Sequence, residues 1–123
     1  MFDSDSFEKD LPVPRRAKGY TRDDGSANRK ENTPTLPARG SSAGGGYSTA
    51  ADLLKFSVAL KAGILPSPES SPGSGLGIAG GAPGLNAALE WDPVQDYTVI
   101  VLSNYDPPSA ERIARQIRAW LPK

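Results

Sequence analysis

Alternating hydrophobic and polar side chains are clearest in the last third of the chain, over residues 85–91 (LNAALEW). On an extended backbone, one side would carry Leu85, Ala87, Leu89 and Trp91, and the other would carry Asn86, Ala88 and Glu90. A period of two residues is typical of a β-strand with one face on a core. The pattern therefore predicts a half-buried strand.

A second strand is predicted at residues 97–103 (YTVIVLS), which are mainly β-branched or aromatic. A short, continuous apolar run of this kind is typical of a strand buried on both faces. Between the runs, Asp92 can accept bonds from the backbone that follows it, and Pro93 fits the second position of a turn. We therefore predict an antiparallel hairpin.

Apolar residues at helical spacing predict a helix before the hairpin. Ser48 or Thr49 can cap its start, and Asp52 lies in the first turn, where a carboxylate favours the helix dipole. Gly63 can adopt the left-handed conformation that commonly ends helices. The first helix is therefore expected between these signals.

A second helix is predicted at the end of the chain, with Asp106 as its cap and Pro107 at its first position. Its apolar face comprises Ala110, Ile113, Ala114, Ile117, Trp120 and Leu121. We expect this face to lie across the hairpin, with Trp120 as its largest contact.

Hydrophobic patterning divides the chain into two parts. Residues 1–46 are polar, with few large apolar side chains, and are predicted to be a loosely ordered segment with a long loop. Residues 47–123 contain the two helices and the hairpin. The predicted fold class is α/β of the α+β type, in which helices pack on an antiparallel sheet and the N-terminal segment is largely irregular.

Composition excludes several kinds of function. Fourteen basic and fourteen acidic residues give a formal net charge of zero, so nothing favours nucleic acid as a partner. The chain has no cysteine and no histidine, which excludes thiolate or imidazole metal sites and His-based catalytic triads. We therefore expect no metal and no cofactor.

Targeting signals are also lacking in the sequence. No apolar run approaches the roughly 20 residues that span a bilayer, and residues 1–10 are acidic where a secretory signal would be basic and then apolar. We expect a soluble chain with no membrane partner.

One short motif could carry catalysis. Ser6 and Lys9 fit the S-x-x-K pattern, in which a lysine one helical turn away takes the proton of a nucleophilic serine. Such a lysine must be desolvated, whereas this one has Glu8 and Asp10 beside it, and acidic neighbours favour its charged form. Surface residues without a catalytic role are the preferred interpretation.

Four segments, in the same order, resemble the C-terminal part of the serine β-lactamase-like hydrolases. They are AKGYT at 17–21, GGGYSTAADLLKF at 44–56, GIAGGAPGLNAALEWDP at 77–93 and YTVIVLSN at 97–104. This family contains class C β-lactamases, penicillin-binding carboxypeptidases and related esterases, many of them periplasmic or secreted. The resemblance implies a partial β-lactamase-like domain.

The resemblance also assigns candidate substrate-binding positions. The family's third motif, a Lys or His, any residue and Gly, on a strand beside the active site, aligns with residues 78–80. Gly80 is kept, Ile78 replaces the cation or imidazole, and the backbone N–H of Gly81 would be an oxyanion donor. Alternatively, both glycines only let a neighbouring element pack on the strand.

Two functions are consistent with these observations. In the first, the chain is a C-terminal fragment of such a hydrolase and lacks the family's serine and Tyr or Ser motifs, which lie upstream. Uncovered sheet surface would then favour self-association. In the second, the chain is a non-catalytic module that binds a peptide or cell-wall fragment at a sheet edge.

Overall fold

A computed structural model describes residues 3–8, 11–22, 25–65 and 75–122. The strands are β1 (Asp5–Ser6), β2 (Tyr20–Thr21), β3 (Lys30–Glu31), β4 (Gly46–Tyr47), β5 (Leu76–Ala82), β6 (Leu85–Asp92) and β7 (Tyr97–Ser103). The helices are a 3-10 turn (Thr33–Thr35), α1 (Ala50–Lys61) and α2 (Ser109–Trp120). The fold is mixed α+β with antiparallel sheets, which confirms the predicted class.

The largest sheet has three antiparallel strands in the order β5-β6-β7. The predicted hairpin is β6 and β7, with Leu89 opposite both Ile78 and Ile100. In the turn between them, the Asp92 carboxylate accepts bonds from the backbone N–H groups of Val94 at 2.8 Å and Gln95 at 3.0 Å. The hairpin and its turn are therefore confirmed.

Helix α2 covers one face of this sheet. The buried residues on that face are Ala88, Val99, Val101, Ala110 and Ala114. Three of these five are alanines, so the helix backbone can approach the strands closely. The hydrophobic core of the described residues thus lies between α2 and the pair β6 and β7.

Helix α1 packs on the opposite face of β7. The Ser57 and Thr98 hydroxyls lie 3.3 Å apart, and the Lys61 ammonium lies 5.0 Å from the centre of the Trp91 ring. Because Thr98 precedes the α2-facing Val99, its side chain points to the other side of the strand. The sheet is therefore a middle layer between two helices.

The prediction that residues 97–103 are buried on both faces was wrong. Only Val99 and Val101 are buried, and both face α2. On the α1 face, Leu102 is 46% exposed. The apolar run is therefore continuous in sequence, while its burial is complete on one face only.

The start and end signals of α1 are confirmed. Thr49 is the N-cap, and its hydroxyl accepts a bond from the Asp52 backbone N–H at 3.2 Å. The helix ends at Lys61, and Gly63 follows with a φ of 68°. A positive φ costs glycine little, so this residue suits the chain reversal after the helix.

Two predictions for α2 were wrong. The helix begins at Ser109 after Pro108, and the Asp106 side chain does not cap it. Trp120 is 79% exposed and is not the main contact with the hairpin. The contact is made instead by Ala110 and Ala114, with the partly buried Ile117 and Leu121 packed on the same core. Trp120 projects from a different side of the helix than these residues.

The N-terminal part forms two small ladders, β1 with β4 and β2 with β3. It joins the large sheet where the Tyr20 backbone N–H donates to the Asn104 carbonyl at 2.9 Å. The buried Asn32 side chain donates to the Pro83 carbonyl at 2.9 Å. Within the described ranges, no helix is long and apolar enough to cross a membrane.

Candidate functional site

The three positions aligned with the hydrolase motif all lie on β5. This strand bonds to β6 along its full length, and among the described residues its other edge pairs with no strand. Its sequence, LGIAGGA, has no charged and no nucleophilic side chain. Chemically, β5 therefore offers backbone N–H and C=O groups and a small apolar surface.

The two candidate glycines have different surroundings. A side-chain carbon at Gly81 would overlap the Pro107 ring and lie 3.0 Å from the Asn86 amide nitrogen. One at Gly80 would meet no atom within 4 Å. Close packing therefore accounts for the glycine at 81, while the space above Gly80 is open to a ligand.

Ile78 lies on the same face of β5 as Gly80, because side chains alternate along a strand. It is 45% exposed and pairs across the ladder with Leu89. An aliphatic side chain here cannot bind a carboxylate or transfer a proton. The structure thus places Ile78 beside the open position as an apolar contact surface.

Asn86 fixes the geometry of this edge, and the sequence analysis did not identify its role. Its buried amide nitrogen donates to the Gly80 carbonyl at 2.9 Å, and its amide oxygen accepts from the Ala110 backbone N–H at 2.6 Å. One side chain thereby ties β5 to the start of α2. A single amide side chain among the apolar residues 85–89 was the signal that the sequence offered.

Asp106 organises the end of the sheet next to the β5–β6 turn. Its carboxylate accepts bonds from the Gly84 backbone N–H at 2.8 Å, the Arg22 backbone N–H at 3.0 Å and the Arg29 guanidinium at 2.9 Å. Hydrogen bonds from the Thr21 side chain and the Arg22 backbone lower the pKa of Asp106 to about 2, from its usual 3.8. The carboxylate is therefore ionised at neutral pH and is poorly suited to act as a base.

An open concavity of about 450 Å³ lies beside this carboxylate. It is lined by Arg22, Ala82, Pro83, Asp106 and Pro107. Ala82 is the last residue of β5, so the concavity lies at the end of that strand. Its polar groups are an arginine and an aspartate that is already bonded within the fold.

Ser6 lies in a different sheet from Gly80. It is exposed, its backbone pairs with Gly46, and its N–H donates to the Asp5 carboxylate at 2.7 Å. Lys9 lies outside the described residues. A catalytic role for Ser6 and Lys9 therefore stays a prediction, with no geometry to support it.

A second carboxylate is tied into the fold at the start of α1. Burial raises the pKa of Asp52, but hydrogen bonds from the Asp3 backbone, Lys55 and Ser4 outweigh it and lower the pKa to about 2. The Asp3 N–H and the Ser4 hydroxyl both lie 2.9 Å from the carboxylate. This group joins the N-terminus to α1 and, like Asp106, is ionised at neutral pH.

Comparison with known proteins supports the fold. The chain matches no protein-family model, and a search of curated proteins finds no match. Among solved structures it is similar to a penicillin binding protein from Bacillus halodurans, with a TM-score of 0.80 and 24% sequence identity. The match covers 98% of this chain and 45% of that protein, so this chain spans less than half of its structural neighbour.

This similarity defines the class of fold and no specific family. Nearly all of the chain follows a penicillin-binding-protein-like or β-lactamase-like arrangement. At 24% identity, the activity of the neighbour does not carry over. The predicted partial β-lactamase-like fold is confirmed at this coarser level.

We predict that alanine substitution separates the two glycines. Gly81→Ala should lower the free energy of unfolding by about 1–3 kcal/mol, because the new methyl group overlaps Pro107. Gly80→Ala, the neighbouring control, should change it by less than about 0.5 kcal/mol, because the space there is open. Urea unfolding followed by circular dichroism measures both; equal losses would contradict the packing described here.

We predict a loss of stability in acid that depends on Asp106. A carboxylate with a depressed folded-state pKa stabilises the fold above its unfolded pKa, and that contribution is lost as pH falls. The free energy of unfolding should therefore be nearly constant above about pH 5 and fall between about pH 4 and the folded pKa of about 2.

Asp106→Asn should lower stability at pH 7 and reduce this acid transition to the part that Asp52 contributes, because the side chain at position 106 no longer titrates. Asp96 offers a matched control, since its side chain is 82% exposed and forms a surface ion pair with Lys61. Asp96→Asn should leave the acid transition unchanged. Unfolding curves of the Asp106→Asn variant that keep the parent's full pH dependence would disprove the assignment.

Proposed function

We propose that the chain is the C-terminal part of a serine β-lactamase-like hydrolase and has no competent active site by itself. Residues 47–123 form its domain, with residues 1–46 as a more loosely ordered segment packed against it. The substrates of the complete enzyme would be β-lactams, peptides or esters, as the family resemblance implies. The substrate-binding positions that this chain would contribute are Ile78, Gly80 and Gly81.

The observation that carries this proposal is that, among the described residues, β5 has an unpaired outer edge and open space beside it. The strand lies at the sheet edge, its outer side has no described strand partner, and the space above Gly80 is open. A wall of this kind suits a substrate that lies along the strand and bonds to its backbone. No side chain on β5 can attack such a substrate or transfer its protons, because the strand has no nucleophilic, acidic or basic side chain.

The surroundings of two carboxylates and one serine support the proposal that the missing chemistry lies elsewhere. Asp106 and Asp52 are held ionised by internal hydrogen bonds, and Ser6 belongs to another sheet. Serine hydrolysis requires a nucleophile within hydrogen-bond reach of a base. The proposal therefore assigns β5 a substrate-positioning role, with the nucleophile contributed by sequence outside these 123 residues.

We predict no turnover of a chromogenic cephalosporin or a p-nitrophenyl ester above the buffer rate. Ser6→Ala should give the same background, and Ser42→Ala serves as a control for a serine in another surface segment. Hydrolysis that disappears in Ser6→Ala and persists in Ser42→Ala would overturn the proposal. It would assign catalysis to the S-x-x-K motif.

Peptide binding without catalysis is the second candidate, and the free edge of β5 favours it. Backbone groups at such an edge can add an extended peptide as a further strand. The concavity at Ala82 could then receive the end of that peptide beside Arg22. This function needs no residue outside the chain.

Amide chemical shifts test this candidate. If it holds, a peptide ending in D-Ala-D-Ala should shift resonances of residues 76–82 and leave those of α1 unchanged. The same peptide ending in L-Ala-L-Ala is the control for stereochemical recognition. Shifts that are absent, or spread evenly over the chain, would exclude strand addition at β5.

A further inference from the structure

The buried amide of Asn86 links helix α2 to strand β5 by hydrogen bonds within this chain. The residue is 3% exposed. Its Oδ1 accepts from the Ala110 backbone N–H at 2.6 Å, and its Nδ2 donates to the Gly80 carbonyl at 2.9 Å. Because one partner is a donor and the other an acceptor, a single orientation of the amide satisfies both. The direction of this hydrogen-bond chain is therefore determined.

The Ala110 N–H is available to Asn86 because of its place in the helix. Helix α2 begins at Ser109, so Ala110 lies in its first turn. The first four N–H groups of a helix have no acceptor within the helix, and the side-chain oxygen of Asn86 accepts from one of them. The partly positive start of α2 therefore lies at one end of the chain of amides.

The other end of the chain is the peptide unit between Gly80 and Gly81. This unit is trans, so its C=O and its N–H point in opposite directions within one plane. The carbonyl points towards β6, because Asn86 of that strand donates to it. The Gly81 N–H therefore points away from β6, to the edge of β5 that pairs with no strand among the described residues.

The pairing register indicates the same direction. Strand β5 ends at Ala82 and β6 begins at Leu85, so a two-residue turn joins them and these two residues form a hydrogen-bonded pair. Hydrogen-bonded and non-hydrogen-bonded pairs alternate along an antiparallel ladder, which makes Gly81 and Asn86 a non-hydrogen-bonded pair. The Gly81 N–H is therefore not used in the ladder with β6.

We infer that Asn86 is a positioning residue for the Gly81 N–H, a role that rests on the proposed function, in which this N–H is an oxyanion donor. Asn86 orients the peptide unit so that the N–H faces the free edge. It also polarises the unit, because each amide in a head-to-tail hydrogen-bond chain makes the next N–H a stronger donor. Donor strength at the β5 edge is thereby coupled to the packing of α2 on the sheet.

The surroundings of this peptide unit leave a substrate oxygen room on one face of the strand. Pro107 packs against Gly81 on the α2 face, whereas a side-chain carbon at Gly80, on the other face, would meet no atom within 4 Å. A donor that is already oriented needs no reorganisation when an acceptor arrives. Asn86 thus favours the binding of a carbonyl oxygen without contacting it.

Nuclear magnetic resonance of the isotope-labelled full chain tests this geometry. A scalar coupling across the hydrogen bond should connect the Asn86 side-chain nitrogen with the Gly80 carbonyl carbon. Asn86→Leu keeps the branched shape of the side chain but has no donor. It should abolish the coupling and shift the Gly81 amide nitrogen upfield, because the Gly80 carbonyl loses a hydrogen bond.

Asn32→Leu is the matched control. Asn32 is also buried, and its side-chain nitrogen donates to the Pro83 carbonyl at 2.9 Å. Both substitutions should lower the urea midpoint, because each removes a buried hydrogen bond. Asn86→Leu alone should move the Gly81 amide resonance. Equal Gly81 shifts in the two variants would reduce Asn86 to a structural role and overturn the inference.

Peptide affinity tests the consequence for a substrate. A peptide ending in D-Ala-D-Ala should shift the Gly81 amide proton of the parent chain downfield, as a new hydrogen bond does. Asn86→Leu should weaken this binding about threefold to tenfold, which corresponds to one net hydrogen bond. Asn32→Leu should leave the affinity unchanged, because its contact lies outside the chain of amides that ends at Gly81.

The outcomes distinguish this role from the proposed function. An absent Asn86–Gly80 coupling in the parent overturns the role of Asn86, and this measurement decides even if a variant does not fold. Equal affinity of the parent and Asn86→Leu for the peptide also overturns it. A parent that shows the coupling but no Gly81 response to the peptide contradicts the substrate-positioning function of β5, while it supports the orientation of Gly81 by Asn86.

Discussion

The carboxylate of Asp106 joins parts of the chain that are far apart in sequence. It binds the β5–β6 turn through Gly84, and it binds the segment after β2 through Arg22 and Arg29. A surface ion pair alone would add little, but hydrogen bonds from backbone N–H groups to a carboxylate are stronger. Together with the Tyr20–Asn104 and Asn32–Pro83 hydrogen bonds, this carboxylate fixes the position of the N-terminal segment relative to the β5–β6 turn.

Features set by neighbouring residues were predictable from the sequence. Alternating hydrophobic and polar residues predicted β6, and the run of β-branched residues predicted β7. Asp92 and Pro93 predicted the turn between the two strands. The Thr49 cap belongs to the same category, because its partner is three residues away. Each of these needs only local backbone geometry, which the residue types determine.

Features set by distant contacts were not predictable. Asp106 before two prolines has the local signature of a helix cap, yet partners at positions 22, 29 and 84 take its oxygens instead. The apolar face of α2 was too wide for periodicity to decide which edge would be buried. Tertiary packing decides that Ala110 and Ala114 lie against the sheet and that Trp120 stays exposed.

The candidate site shows the same division. Sequence resemblance identified the strand that contains Ile78 and Gly80, but it could not distinguish an open glycine from a packed one. That distinction comes from Pro107, which is distant in sequence and lies against Gly81. The role of Asn86 likewise depends on α2 being in place, since the helix start is one of its two partners.

The positions of the two tryptophans give the molecule two distinct optical reporters. Trp91 lies under the Lys61 ammonium between α1 and the sheet, whereas Trp120 is 79% exposed at the end of α2. Indole emission shifts to longer wavelength in a polar environment, and soluble quenchers reach exposed rings first. Fluorescence of the unmodified chain can therefore follow the docking of α1 and the environment of the terminal helix separately, without an added dye.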